Sequence, residues 1–335
     1  MPTTEIATAG TTAVDGTAAR ARRLGWGEIS MLVAAVGYGV STSVSVTALD
    51  SVRPADLLSI ELGGAALALL TTGLITRRLV LRGAWRHLLL GGLMPGLAFA
   101  LGDLGLARTS ASAGSLLLAL DPLLTVLLAV LVLGERVRRG AVAALALGFT
   151  GSVLVAVTSG GEGGSNPALG NLLVVLSVAS AAVFLVGTRK LGDQGSGLNA
   201  SAWQTTGGAV FASPFVAISW SSGGSRLPGA DAAALLACAA VLLCTAVAGV
   251  AFNWGINRVA AGTAAQLFNL TPVAGLASAV ALLGERPSLA QLAGGTVVVL
   301  SLVLLVRSTP DEASEVADHD DDVGHAPQAE LAPCA

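Results

Sequence analysis

Long apolar stretches dominate this chain and constrain its fold more than any other feature of the sequence. A helix needs about 20 mostly apolar residues to cross the hydrocarbon core of a membrane. The stretches of about this length are Ile29–Leu49, Asp56–Thr76, Leu88–Leu106, Ala111–Leu133, Ala141–Thr158, Asn171–Val186, Ala200–Trp220, Ala232–Ile256, Thr263–Leu283 and Leu289–Val306. Only 12% of the residues are charged, against 53% hydrophobic residues, and so little charge cannot cover a soluble globule. The sequence therefore predicts an all-α polytopic membrane protein with ten transmembrane helices.

Basic residues indicate how these helices are oriented. With the N-terminus in the cytoplasm, 14 of the 18 Lys and Arg residues fall on the cytoplasmic side. The four that fall outside are Arg53, Arg108, Arg226 and Arg286. Such a bias is typical of the positive-inside rule, and it supports an even number of spans. We therefore expect both termini to be cytoplasmic and the protein to lie in the cytoplasmic (inner) membrane of a bacterium.

The chain also repeats itself at a shift of 150 residues. Asp103–Leu154 aligns with Asn253–Leu304 without a gap. The rarer matches are Pro122 with Pro272, and Gly134-Glu135-Arg136 with Gly284-Glu285-Arg286. Each half then holds five helices, so the second half enters the membrane in the opposite sense to the first. Inverted repeats of this kind are common in secondary transporters.

The two motif pairs resemble the EamA-type domains of the drug/metabolite transporter superfamily. The matching segments run from Leu120-Asp121-Pro122 to Gly134-Glu135-Arg136, and from Leu270-Thr271-Pro272 to Gly284-Glu285-Arg286. The resemblance implies an exporter or exchanger of small metabolites, for which we expect alternating access around a central cavity. The chain departs from many members at Glu61, where they carry a basic residue.

The predicted organisation follows from these repeats. Residues 1–27 form a disordered cytoplasmic N-terminus, and residues 28–158 form the first five-helix repeat. An external linker, 159–168, joins it to the second repeat, 169–307. The acidic tail, 308–335, is expected to be disordered, cytoplasmic and dispensable for transport, because it has too little apolar surface to offset the entropy of ordering.

The Gly-Glu motifs have a structural interpretation, with a gating role as the alternative. Gly134 and Gly284 suit the left-handed position just past the end of a helix. Glu135 and Glu285 are then expected near the N-terminus of the next helix, which favours negative charge. Their predicted role is to form turns.

Three acidic residues within the predicted spans are candidates for function, because ionisable groups are expensive in a membrane. Asp121 lies ten residues into its span, close to the midplane, with Thr125 on the same helix face. It precedes Pro122, which we predict to form a hinge with its counterpart Pro272, with plain helix packing as the alternative. Asp121 is the predicted substrate or coupling group, able to exchange a proton for a substrate ammonium. The alternative for Asp121 is a protonated structural residue that forms a hydrogen bond to a neighbouring helix.

Asp103 and Glu61 are secondary candidates for function, and either could instead reach the membrane interface.

Polar stripes on several predicted helices line a cavity or hold helices together. Their members proposed for the substrate site are Tyr38, Asn253, Asn257, Gln266 and Asn269. Stripes in both halves favour the cavity interpretation.

The sequence lacks the motifs of an enzyme or of a metal site. No His falls inside a predicted span, and the single lysine, Lys190, is not in a phosphate-binding loop. We expect no catalytic residue, metal or cofactor. Expected partners are the lipid bilayer, a small-molecule substrate and protons, but not nucleic acid; a homodimer stays open. Two alternatives remain: a non-transporting membrane sensor or assembly protein, and an intramembrane enzyme acting on lipid-linked substrates.

Overall fold

The structure, a computed structural model, describes residues 25–133, 139–158, 165–191, 197–256, 258–259, 264 and 267–308. Helices account for the regular structure within these ranges, and no strand occurs there, which confirms the all-α fold class. The longer helices are α1 (Trp26–Leu49), α2 (Pro54–Ile75), α3 (Ala84–Leu106), α4 (Ala111–Leu118), α5 (Asp121–Leu133), α6 (Arg139–Thr158), α7 (Pro167–Leu191), α8 (Gly197–Gly223), α9 (Ala232–Gly255), α10 (Thr271–Leu283) and α11 (Leu289–Ser308).

Six stretches of the described chain are helices long and apolar enough to cross a membrane. They are α1, α2, α3, the α4–α5 pair over Ala111–Val132, the first 21 residues of α7, and α9. Shorter apolar segments lie in α6, α10 and α11. The protein is thus a multi-pass membrane protein, and the count of ten spans stays a prediction. Most of the predicted N-terminus, linker and tail lie outside the described residues.

Both predicted hinge prolines stand in the first turn of a helix. The chain leaves α4 at Ala119 and Leu120, and the Leu120 amide donates to the Leu117 carbonyl at 3.0 Å, a tighter turn than that of an α-helix. Pro122 is the second residue of α5, and Pro272 the second residue of α10. Proline is tolerated there because the first amides of a helix have no intrahelical partner. The α4–α5 break therefore precedes Pro122 and leaves Asp121 as the first residue of α5.

Glycines allow two pairs of helices to approach closely. Gly105 of α3 lies against Gly170 and Val174 of α7, and a side chain at Gly105 would meet the Gly170 carbonyl. In the same way, Gly255 of α9 lies against Gly27 and Met31 of α1. Helix α1 therefore packs along α9 and α10, whereas α7 packs along α3 and α5. These two groups of helices enclose the interior of the bundle.

Hydrogen bonds hold loops at the two ends of the bundle. Where α1 meets α2, the Asp56 carboxylate accepts from the Trp220 indole Nε1 at 2.8 Å, the Ser225 hydroxyl at 2.6 Å and the Arg226 amide at 2.9 Å. Where α2 meets α3, the Asn199 side chain accepts from the Val80 amide at 2.8 Å. We call these ends the α1–α2 end and the α2–α3 end.

The position of Glu285 corrects one prediction. Gly284 has the expected left-handed backbone, with φ +67°, just past α10. The Glu285 carboxylate, however, accepts from the amides of Ala111 and Ser112 at 2.9 and 2.8 Å, so it caps α4 in the other half and not the next helix, α11. The reason is that α11 has its own cap, in which Ser288 and Gln291 exchange hydrogen bonds. Gly134 and Glu135 lie outside the described residues.

Candidate functional site

Two adjoining cavities lie between the helices, and they share a central wall. The shared residues are Tyr38, Glu61, Met94, Phe99, Asp121, Thr245 and Phe268. The first cavity extends toward the α2–α3 end, past Leu69, Gln204 and Asn253; we call it the Asn253 cavity. The second extends toward the α1–α2 end, past Ser45, Asp103 and Leu106; we call it the Asp103 cavity. The central wall therefore lies between the two ends of the bundle, with one cavity on each side of it.

Three carboxyl groups from three different helices face these cavities. Glu61 of α2 and Asp103 of α3 are each only 4% exposed, and Asp121 of α5 is partly buried. Glu61 has Thr245 as a hydrogen-bond partner, and Asp121 has Thr125. One oxygen of Asp103 and one of Asp121 have no hydrogen-bond partner among the described residues. Such buried oxygens are available to a ligand.

Positive charge is missing from the residues described around these cavities. Neither lining contains a Lys, Arg or His among the described residues, while the Asp103 cavity contains three acids. A cavity of one sign in a medium of low dielectric focuses its field on ions of the opposite sign. The site is thus built to attract a proton or a cationic group.

Amide and hydroxyl groups form a second polar cluster in the Asn253 cavity. The Asn253 side-chain amide donates to the Ser201 hydroxyl at 2.9 Å, to the Gln204 side-chain oxygen at 3.3 Å and to the Gly249 carbonyl at 3.0 Å. The cluster joins α8 to α9. It offers hydrogen bonds without a formal charge.

Aromatic side chains supply the apolar part of the site. The rings of Tyr38 and Phe268 meet edge to face at 6.0 Å, and Phe252 lies 5.0 Å from Phe268. Ring contacts of this kind are among the favoured arrangements of aromatic pairs. The walls can therefore accept an apolar substituent beside the charged groups.

Most of the residues predicted for the site lie together. Tyr38, Glu61, Asp103, Asp121, Asn253, Asn269, Pro122 and Pro272 all line the cavities. Thr125 lies beside Asp121 and is its hydrogen-bond partner. Asn257 and Gln266 lie outside the described residues. Gly284 and Glu285 lie away from the cavity linings, at the end of α10.

Gln204 and Ser201 belong to the site but were not predicted. Both lie on α8, whose sequence shows no acid and no obvious motif. Of the two, Gln204 is revealed when the halves are aligned at a different shift. A shift of 143 residues, and not 150, places Glu61 over Gln204 and Asp56 over Asn199. The first two helices of each half follow this shorter shift, because α8, with 27 residues, is longer than its counterpart α2, with 22.

Comparisons with known proteins agree with this architecture. The family described as the EamA-like transporter family matches residues 25–157 and 168–307. A protein of Streptantibioticus cattleyicolor named a probable terminal-alkyne amino-acid exporter is 27% identical over 205 residues, which is 61% of this chain and 67% of the relative. A solved structure described only as "Crystal structure of protein" has a TM-score of 0.55 at 18% identity, over 88% of this chain and 99% of its own, and so shares the fold. Because the two matched ranges cover most of the sequence, this chain belongs to the EamA-like transporter family.

Proposed function

We propose that this protein is a secondary transporter that exports a small metabolite bearing an ammonium group, such as an amino acid, in exchange for protons. The observation that carries this proposal is the composition of the cavities, which hold three buried or partly buried carboxyls and no basic side chain among their described lining residues. An ammonium group and a proton both neutralise such a site, so each can replace the other. Membership of a transporter family supports a transporter over an enzyme.

Alternating access of two inverted halves is the proposed mechanism. Contacts in the two halves support it, because they correspond under the two shifts. Gly105 of α3 and Arg108, two residues past the end of α3, contact Gly170 of α7. Their counterparts Gly255 and Arg258 contact Gly27 at the start of α1. Since α1 pairs with a helix of the second half and α7 with a helix of the first, each half packs on the other in an equivalent way. Two equivalent packings are what an exchange between inward-open and outward-open states requires.

Asp121 is the proposed anchor for the substrate ammonium. It stands on the central wall shared by both cavities, and its Oδ1 has no hydrogen-bond partner among the described residues. The aromatic rings of Tyr38 and Phe268 lie on the same wall. An amino acid with an apolar side chain fits this arrangement, and the relative's name points to the same class of compound.

Transport in liposomes tests this function. Propargylglycine is a suitable probe, since it is a small terminal-alkyne amino acid. Pentynoic acid has the same chain without the amino group, and norvaline has the amino group without the alkyne. We expect liposomes with an acidic interior to accumulate propargylglycine and norvaline, but not pentynoic acid. Equal transport of pentynoic acid would argue against recognition of the ammonium.

Asp121→Asn is expected to abolish substrate transport by removing the charge while keeping the shape. Losing an ion pair at a desolvated site costs roughly 2–4 kcal/mol, which corresponds to a loss of about 30-fold or more in apparent affinity. Asp50→Asn is the matched control, because Asp50 is an exposed acid at the end of α1. Wild-type rates and an unchanged pH profile in Asp121→Asn, at equal expression, would leave Asp121 as a structural residue.

A further inference from the structure

The two halves of the site differ in their chemistry at equivalent positions. Glu61 and Asp103, which face the Asp103 cavity, correspond under the 143- and 150-residue shifts to Gln204 and Asn253, which line the Asn253 cavity. Where the first half has a pair of acids, the second half thus has a pair of amides. The shapes of the side chains are matched, since Glu and Gln, or Asp and Asn, differ only by the replacement of an oxygen with an NH₂ group.

The amide pair is satisfied and cannot change its charge. Asn253 donates to Gln204 at 3.3 Å and also to Ser201 and Gly249. Neither amide titrates in water. This pair therefore acts as a fixed polar contact between α8 and α9.

The acid pair, in contrast, is not fully satisfied by hydrogen bonds and can change its charge. Glu61 and Asp103 line the same cavity, both are only 4% exposed, and the Asp103 Oδ2 has no hydrogen-bond partner among the described residues. The titratable groups around them are Tyr38 on α1, Asp56 on α2, Asp121 on α5, and Cys238 and Cys244 on α9. Helices α7, α8 and α10 add no Asp, Glu, Lys, Arg or His to the described linings. None of these neighbours carries a positive charge that would allow both acids to ionise.

Two carboxylates in one buried site repel each other strongly, and the usual outcome is that the two groups share one proton. A cation that enters the same cavity changes this balance, because its charge replaces that of the proton. Glu61, Asp103 and Asp121 all line the Asp103 cavity, so an ammonium held at Asp121 acts on the pair directly.

We infer that Glu61 and Asp103 form the proton-coupling site of the transporter, with one proton on the pair, and that this site is distinct from the ammonium anchor at Asp121. When the substrate ammonium binds, the O–H bond of the protonated carboxyl breaks, so that both carboxyls are now ionised, and the released proton leaves to the cytoplasm. After the substrate leaves to the outside, one of the two carboxyls takes up a proton from that side. One proton moves inward for each ammonium that moves outward. The assignment of the substrate rests on the proposed function, whereas the shared proton does not.

Infrared spectroscopy of the purified protein tests the shared proton without any substrate. A neutral carboxyl has a carbonyl band that is separate from the bands of carboxylates. We expect wild-type protein at neutral pH to show this band, Glu61→Gln/Asp103→Asn to lose the pair's part of it, and Asp121→Asn to keep that part. No neutral carboxyl in the wild type, or a full band in the double variant, would overturn the proposal.

A transplanted pair provides a second variant that retains the native acids. Gln204→Glu/Asn253→Asp builds an acid pair at the equivalent positions of the second half. We expect a second neutral carboxyl in this variant, because the same repulsion acts there. An unchanged band in a folded variant would show that pairing two acids in this fold does not retain a proton, and would overturn the proposal.

Transport then separates coupling from binding. In liposomes, the accumulation of propargylglycine driven by a pH gradient should fall by roughly tenfold or more in Glu61→Gln/Asp103→Asn, within the usual range of coupling between two sites, and any exchange of internal for external propargylglycine that remains should no longer depend on pH. Asp121→Asn should lose both activities. A double variant that keeps its gradient-driven accumulation would overturn the proposal. If wild-type protein moves none of the probes, the proposed function fails, and the infrared result still decides the role of the pair.

Discussion

Buried acids in this protein fall into two kinds, which their hydrogen bonds distinguish. Asp56 is fully buried, and its carboxylate is surrounded by donors from Arg53, Trp220, Ser225 and Arg226. The carboxyls of Asp103 and Asp121 each keep one oxygen without a partner among the described residues. A satisfied carboxylate stabilises structure, whereas an unsatisfied one beside a cavity is available for a ligand. Sequence position alone could not separate them, since all three lie at or within predicted spans.

Asp56→Ala is expected to destabilise the protein without a specific effect on substrate affinity. The change removes the acceptor of several hydrogen bonds and leaves their donors unpaired, at a cost of about 2–4 kcal/mol in the free energy of unfolding. Denaturation in mixed micelles measures this, with Asp50→Ala as the control at an exposed acid, where a change within about 0.5 kcal/mol is expected. The interpretation is wrong if Asp56→Ala unfolds like the control.

At the scale of helices, the apolar stretches and turn residues predicted most of the observed elements. The predicted span Ala232–Ile256 corresponds to α9, and the predicted start at Leu289 is the first residue of α11. The hinge was predicted at Pro122, but the break between α4 and α5 lies before it, at Ala119 and Leu120, which are as apolar as their neighbours. A break of this kind depends on local hydrogen bonding before a proline, and hydropathy does not register it.

The Gly-Glu motif shows the same limit more clearly. The sequence predicted the left-handed turn at Gly284, since this depends only on local geometry. It could not predict that Glu285 caps α4, because that contact joins residues far apart in the chain. The motif therefore ties the end of α10 to the start of α4, across the two halves.

Glu285→Ala should weaken this tie. Both donors are amides at the N-terminus of α4, and the loss of such a cap costs typically about 1–2 kcal/mol of stability. Arg286→Ala is the control, because Arg286 is the exposed neighbour in the same turn. Hydrogen exchange should show faster opening at Ala111 and Ser112 in Glu285→Ala only. Unchanged protection of these two amides would contradict the assignment.

At the scale of the whole molecule, the sequence predicted only part of the internal repeat. The 150-residue shift relates the last three helices of each half, whereas the equivalence of Glu61 with Gln204 needs the 143-residue shift. The cavities themselves depend on how α1 packs on α9 and α7 packs on α3. Single residues such as Asp121 could be found from the cost of burying a charge, but their assembly into one site required the packing of the helices.

The basic residues at the two ends of the molecule predict its orientation in the membrane. Arg77, Arg78, Arg82 and Arg86 lie in or beside the loop at the α2–α3 end, where we expect the cytoplasm. The α1–α2 end, with Arg53, should face outside.

After replacement of the three native cysteines, Ser165→Cys should react with an impermeant thiol reagent on intact cells, because Ser165 is exposed and precedes α7. Leu81→Cys, which is 78% exposed at the opposite end, should react only after the cells are opened. The reverse pattern would place the acid pair toward the cytoplasm, and the proposed direction of proton movement would then be wrong.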